Sequence, residues 1–576
     1  MAGPFPPELV SLLLFELCQT LPRLWDGKST SLKEYATVSR QWQYAAEQES
    51  GVFHTVAVRS NELDTFATVF GGHRRRFLRC LEYHIVLPKY ARARCCLFET
   101  RKEQEKNNEA FTEAIQALFL LLKEWEARDV DQGPPLELNI KAHSPMDVGW
   151  RSAQDRYMVN LDYRDLQDRR WQHSFLRFSR VALGSLPILS RVTGFACNMG
   201  GTRSKDGEYR ADNREFEGRS LVQLATKFPN LEAVGWIVED DDLLYPWARK
   251  RRRQGFARAL ADNHGLWKKL KKFELRMQAG FHTYDTFHAP NLKEGDTARS
   301  SLTFALRHIL HLPQLEAFEL GSIVVGPSIF EAPPCNNNAP TSATFQPFSR
   351  LKILKMNISK LTPNGGYYFA PDPSQPPGTP EGDRYEDDYE DSESEEPAIE
   401  LEDFIDKVIY EDSDPDMLTV EGKNPHGDTY PWPPRYGREY KVDWFRAIGH
   451  DQVLYHRFRI DTPESRSIFE GFLKVLKAAP GIQEARLQIG AGEHHKSAGA
   501  SVSFVPVDEW VAECTDELEK MMWKMHTNEK TVDALAFFGQ VKEWIDEIPG
   551  SDIRVEVSPK LLHELWPDIW PDRWRA

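Results

Sequence analysis

Cysteine is scarce and scattered: the seven residues Cys18, Cys80, Cys95, Cys96, Cys197, Cys335 and Cys514 form no C-x-x-C pair. That spacing argues against a zinc ribbon or a thioredoxin-like motif, and it predicts reduced thiols in an intracellular protein, cytoplasmic or nuclear. Long apolar runs are missing as well; none approaches the roughly eighteen residues of a membrane span. The opening MAGPFPPELVSLLLFELCQ lacks the basic stretch and small-residue cleavage site of a signal peptide. Positive charge is in deficit, with a formal net charge of -15, so broad binding to nucleic acid or to an anionic membrane is not expected. Catalytic signatures are absent too. There is no Walker loop, Gly-x-Ser-x-Gly elbow, His-Glu-x-x-His helix or kinase set. No catalytic residue, cofactor or metal ligand is therefore assigned, and the chain is read as a non-enzyme whose partners are proteins.

What is present is enough apolar material to fold. The 576 residues are 41% hydrophobic and 11% aromatic, with 16 Trp and 32 Phe. A chain of this size exceeds a single growing core, so it divides into several units or extends as an array. Near the start, Pro6 and Pro7 precede a helical pattern in which Leu9, Leu12, Leu13 and Leu17 recur at three- and four-residue steps, with Glu8 in the first turn. Ser31 can cap a second helical stretch whose stripe is Leu32, Tyr35, Val38 and Trp42. Residues 1–50 read as a small helical module.

The strings FPPELVSLLLFEL and LKEYATVSRQWQYAAE resemble the two ends of the fungal F-box. The first matches a Leu-Pro-x-Glu-like opening at Phe5, Pro6 and Glu8; the second matches a Val-Cys-Arg-x-Trp-like close at Val38, Ser39, Arg40 and Trp42. Phe stands where Leu is usual, and the loop between the halves is longer than typical. The resemblance continues weakly to about residue 90. It implies a module that inserts apolar side chains into the Skp linker protein, which tethers it to a cullin complex. Pro6, Glu8, Leu9, Leu12 and Leu13 would form the first half of that docking face, and Leu32, Val38, Ser39 and Trp42 the second. About half of these positions are expected to hold the module together instead, because three short helices need a core of their own.

Farther along, a helical stretch and a polar turn repeatedly lead into Leu-x-x-apolar-x-apolar. The clearest copies are Leu231, Val234, Trp236; Leu315, Phe318, Leu320; and Leu351, Leu354, Met356. Weaker ones are Leu78, Leu81, Tyr83; Leu270, Phe273, Leu275; and Ile482, Ala485, Leu487. The anchors at 231, 270, 315 and 351 are 39, 45 and 36 residues apart, longer and less regular than a standard leucine-rich repeat. Copies of this kind cannot bury their apolar faces alone and must stack with their strands side by side. The fold class expected is α/β, a degenerate leucine-rich-repeat-like solenoid over 51–361 and 441–576, interrupted by an insertion at 362–440. The helix NNEAFTEAIQALFLLLKEWEA, with Phe111, Ile115, Leu118, Phe119, Leu122 and Trp125 on one face, and the following LELNIKAH belong to the array.

The insertion is rich in Pro, Gly and acid, and its charge predicts disorder. Ser392 and Ser394 lie among acids that suit acid-directed kinases. The run Arg249, Lys250, Arg251, Arg252, Arg253 reads either as a nuclear-import or acidic-partner patch or as a solvated helix start. Glu239 to Asp242, the adjacent His494 and His495, and the Gly-rich MGGTRSKDGEYR read as exposed loops. The function expected is that of a substrate-recognition adaptor in a cullin-RING ubiquitin ligase, with the strand face and its loops holding an unidentified protein substrate. The alternatives are a ligase-independent binding scaffold and, from a different class, a hydrolase using Asp241 and Asp242.

Overall fold

A computed structural model describes residues 9–14, 37–90, 99–128, 133–148, 174–198, 214–240, 246–278, 291–292, 301–332, 348–368, 370–371, 457–459, 463–489, 500–506 and 521–527. Short β-branched and aromatic runs become strands, and Gly, Pro and polar turns end them. Helix α1 (Arg40–Ser50) leads to β1 (Thr55–Arg59), α2 (Leu63–Val69) and β2 (Cys80–Val86). Next come α3 (Arg101–Arg128), β3 (Leu136–His143), α4 (Arg180–Ser185), β4 (Val192–Cys197), α5 (Gly218–Ala225) and β5 (Ala233–Glu239). The series continues through α6 (Pro246–Asp262), β6 (Lys272–Gln278), α7 (Ser301–Leu310), β7 (Ala317–Ile323) and β8 (Ile353–Ile358). A small antiparallel pair, β9 (Ala370–Pro371) and β10 (Arg457–Arg459), stands apart. Helix α8 (Pro463–Ala478), β11 (Glu484–Ile489), β12 (Ala500–Pro506) and β13 (Met521–Thr527) follow.

Strands β1 to β8 and β11 form a nine-strand parallel sheet in strict chain order. Parallel neighbours need crossovers, and helices in the intervening segments bury their apolar faces in the same core as one face of the sheet. Two apolar rows run across that face in register. One is Val56, Leu81, Leu138, Phe195, Val234, Phe273, Phe318, Leu354 and Ala485; the other is Val58, Tyr83, Ile140, Cys197, Trp236, Leu275, Leu320, Met356 and Leu487.

All six Leu-x-x-apolar-x-apolar copies place their last two residues in these rows. In five of the six the leading residue closes a tight turn before its strand: Leu231 N–H donates to Phe228 O, Leu270 to Trp267 O, Leu315 to Leu312 O, Leu351 to Phe348 O and Ile482 to Ala479 O. The next N–H reaches the preceding copy, Lys271 to Glu232 O, Glu316 to Lys271 O and Lys352 to Glu316 O. Helix α3 buries Phe111, Ile115, Leu118, Phe119, Leu122 and Trp125, as its spacing predicts.

Two features depart from the expectation. Strand β4 belongs to the series although no repeat was read there, because its pairing with β3 shifts register at Leu136/Glu137 and its motif spacing is broken. Beyond β11 the parallel order ends, and β12 and β13 add antiparallel to the sheet. Residues 372–456, most of the acidic insertion, lie outside the described residues.

Candidate functional site

Two surfaces hold the residues singled out in the sequence, and the first is the N-terminal module. Ser39 has extended backbone and caps α1, its Oγ accepting from the Trp42 N–H at 3.3 Å. Gly51 ends the helix in the left-handed region at φ 63°. Residues 9–14 are helical. Val10 and Leu14, one turn apart, are buried against Ala45 and Ala46, with Trp42 packed beside them. The opposite side of the turn faces outward: Leu9 is 46% exposed, Leu12 55%, Leu13 45% and, at the start of α1, Val38 63%. Four of the nine docking positions read from sequence are thus solvent-facing apolar groups, Ser39 is a helix cap, and Trp42 packs within the module. Pro6, Glu8 and Leu32 lie outside the described residues. Sequence reading passed over Val10 and Leu14 as the inner pair; their four-residue spacing was the available signal.

A buried carboxylate fastens this module to the sheet-bearing region. Glu47 accepts from Arg74 Nε at 3.1 Å, from Gln43 Nε2 at 2.9 Å and lies 2.9 Å from His73 Nε2. Burial alone would raise its pKa, but these hydrogen bonds, led by Arg74, hold it below the ordinary value. Tyr44 adds ring contacts to His73 and Phe77, each at 5.2 Å between centroids.

The second surface is the face of the sheet away from the core. Glu82, Asn139, Ala196, Gly235, Glu274, Glu319, Lys355 and Arg486 share one register row on it. Glu82 meets Lys141 at 3.3 Å and His84 at 3.6 Å, Arg276 meets Glu274 at 2.7 Å, and Lys355 meets Glu484 at 2.8 Å. Where β4 and β5 pair, the same face carries the small residues Gly194, Ala196, Ala233 and Gly235, and Ile237 follows them on β5. Burial, with help from Glu137 and Glu82, pushes the Cys80 thiol up to about 11, and burial followed by Lys141 lowers the His84 pKa, favouring its neutral form.

Beyond the ends of the strands lie buried ionic clusters. Arg249 binds Asp240 through two hydrogen bonds of 3.0 and 2.8 Å; Arg253 binds the same carboxylate and donates to Val324 O at 2.6 Å. All three residues are nearly inaccessible. The basic run 249–253 is therefore not one surface patch. Arg249 and Arg253 are committed internally, and Arg252 stacks on Phe175 at 4.2 Å. Lys250 and Arg251 remain toward solvent. Asp240 likewise serves structure, while Asp241, Asp242, His494, His495, Ser392 and Ser394 lie outside the described residues. Arg214 and Glu99 form a second buried pair, joined by Ser174 and by Asn107 at 2.9 Å. Among the described residues no three His, Cys, Asp or Glu side chains gather as a metal site.

Glu215 stands nearby with part of its surface exposed but its Oε2 out of solvent and without a hydrogen-bond partner. Burial pushes its pKa up to about 8, against a backbone hydrogen bond from Glu239 that lowers it. A carboxyl raised in the folded state is stabilising only while protonated, so its ionisation costs stability as pH rises from about 5 toward 8. Glu215→Gln is expected to gain roughly 2–4 kcal/mol at pH 8 and little at pH 5. Urea midpoints at both pH values check this; parallel shifts at the two would contradict it.

Searches against protein-family models and against curated proteins return no match to this chain.

Proposed function

We propose that the chain is a substrate-recognition adaptor of an SCF-type cullin-RING ubiquitin ligase. The N-terminal module docks the Skp linker and the strand region, a degenerate leucine-rich-repeat-like solenoid, holds a protein substrate. The observation that carries the reading is the outward apolar set Leu9, Leu12, Leu13 and Val38 on a module whose own core is Val10, Leu14, Ala45 and Ala46. Exposed apolar groups on a helix of so small a module gain by entering a partner's groove. The nine strands in chain order support the repeat reading, and their polar outer face offers a surface for the substrate. Ubiquitin transfer is then accelerated by proximity, with no chemistry supplied by this chain.

Pull-down of purified Skp linker tests the docking set. The parent is expected to retain the linker, and Leu12→Asp and Leu13→Asp to lose it with unchanged circular dichroism. Retention by both variants would remove these residues from the interface. Failure of the folded parent to bind would favour a ligase-independent scaffold.

A further inference from the structure

A concentrated basic surface lies at the edge where the strands begin. The turns leading into β6 and β8 bring Lys268, Lys269, Lys271, Lys272, Arg350 and Lys352 onto one rim. Their proximity is explicit: Glu316 feels Lys352, Lys271 and Arg350 together, and bonds Lys352 at 2.8 Å. Glu232 pairs with Lys271 at 2.7 Å, and Lys269 donates to Asn230. These two acids leave Lys268, Lys272 and Arg350, all exposed, with no acid at salt-bridge distance among the described residues. Lys272 extends between Ala233 and Ala317 on the neighbouring strands, which are too short to cover it. A cationic rim of this kind on a chain of net charge -15 calls for an anionic occupant.

We propose that this rim docks the chain's own acidic stretch, residues 381–402. That stretch holds twelve acidic residues and a single base, Arg384. Reach permits the contact. Tyr368, whose hydroxyl donates to Val325 O, sits past the end of β7, and β9 follows at Ala370–Pro371. The ten residues from 371 to 381 can extend about 33–36 Å, whereas a strand of this sheet is only about 20 Å long. On the other side, 54 residues separate Glu402 from Arg457. Tethering supplies an effective concentration in the millimolar range, so many weak, exposed ion pairs suffice to hold the stretch in place at moderate salt. The basic run 249–253, with two of its arginines buried on Asp240, is the poorer receptor. The contact is independent of whether the N-terminal module meets a ligase.

The test uses a labelled synthetic peptide of residues 381–402 and two full-length proteins, the parent and a chain with the acids from Glu386 to Glu396 changed to Asn or Gln. At 50 mM salt the peptide is expected to bind the neutralised chain at least tenfold more tightly than the parent, whose rim is already covered. Adding Lys268→Glu, Lys272→Glu and Arg350→Glu to the neutralised chain should abolish binding with unchanged circular dichroism, as should 300 mM salt. Equal binding to parent and neutralised chain, survival of binding after charge reversal, or no binding to either would overturn the proposal. A single-stranded oligonucleotide binding the parent at this rim would reassign it to nucleic acid.

Discussion

Asp240→Asn is expected to lower stability by about 3–5 kcal/mol, because it leaves Arg249 and Arg253 buried without their counter-charge. Neither guanidinium can turn to water from positions 1% and 4% exposed. Asp240 itself shows the strength of the arrangement. Burial pushes its pKa upward, yet the two arginines hold it below the ordinary carboxylate value. Since the folded pKa is depressed, this contribution is present above the unfolded value near 4 and is lost as pH falls below it. Replacing all three residues with apolar groups of similar volume should cost much less than Asp240→Asn, since an intact buried ion network adds little over good packing. Urea unfolding of the single and triple variants separates the two effects. A single-variant loss under 1 kcal/mol would show that the arginines find other partners.

Trp236→Ala is expected to cost about 3–5 kcal/mol by opening a cavity in the middle of the apolar rows. The ring is fully buried, with Phe195, Phe256, Trp267 and Phe273 at centroid distances of 6.0 to 6.4 Å. Its Nε1–H has no acceptor among the described residues, so Trp236→Phe removes an unsatisfied donor while keeping an aromatic ring. That variant should fall within about 1.5 kcal/mol of the parent. Thermal and urea midpoints for the two substitutions give the comparison, and equal losses would mean that the indole nitrogen is satisfied after all.

Much of the sheet was legible because its periodicity is local. Leu231, Leu270, Leu315 and Leu351 each close the same turn, and the alternation after them puts one set of side chains into the core and the other outward. Strand β4 escaped notice because its register shift breaks that spacing, and its VTGFAC offers small residues where an anchor was sought. Strands β12 and β13 pair antiparallel, an arrangement that a repeat of parallel strands does not predict. At the N-terminus the helical period was correct over residues 9–14, but the second stripe was not one helix: Val38 precedes α1, and Ser39, read as part of the stripe's helix, is its extended N-cap, so α1 begins only at Arg40. Even where the period holds, it does not decide which stripe faces inward. Val10 and Leu14 won the interior, leaving the more abundant leucines outside. The basic run 249–253 misled for a related reason. Five cations in a row read as solvated charge, and the acidic run at Glu239 to Asp242 reads the same way; only the fold brings Asp240 between Arg249 and Arg253 and makes both buried.

The most direct test of the adaptor account is a calorimetric titration of purified Skp linker into the full chain and into its Leu12→Asp variant, with folding of both verified. The account predicts a one-to-one complex with the parent and at least a hundredfold weaker binding by the variant. Absence of binding to the folded parent would contradict it.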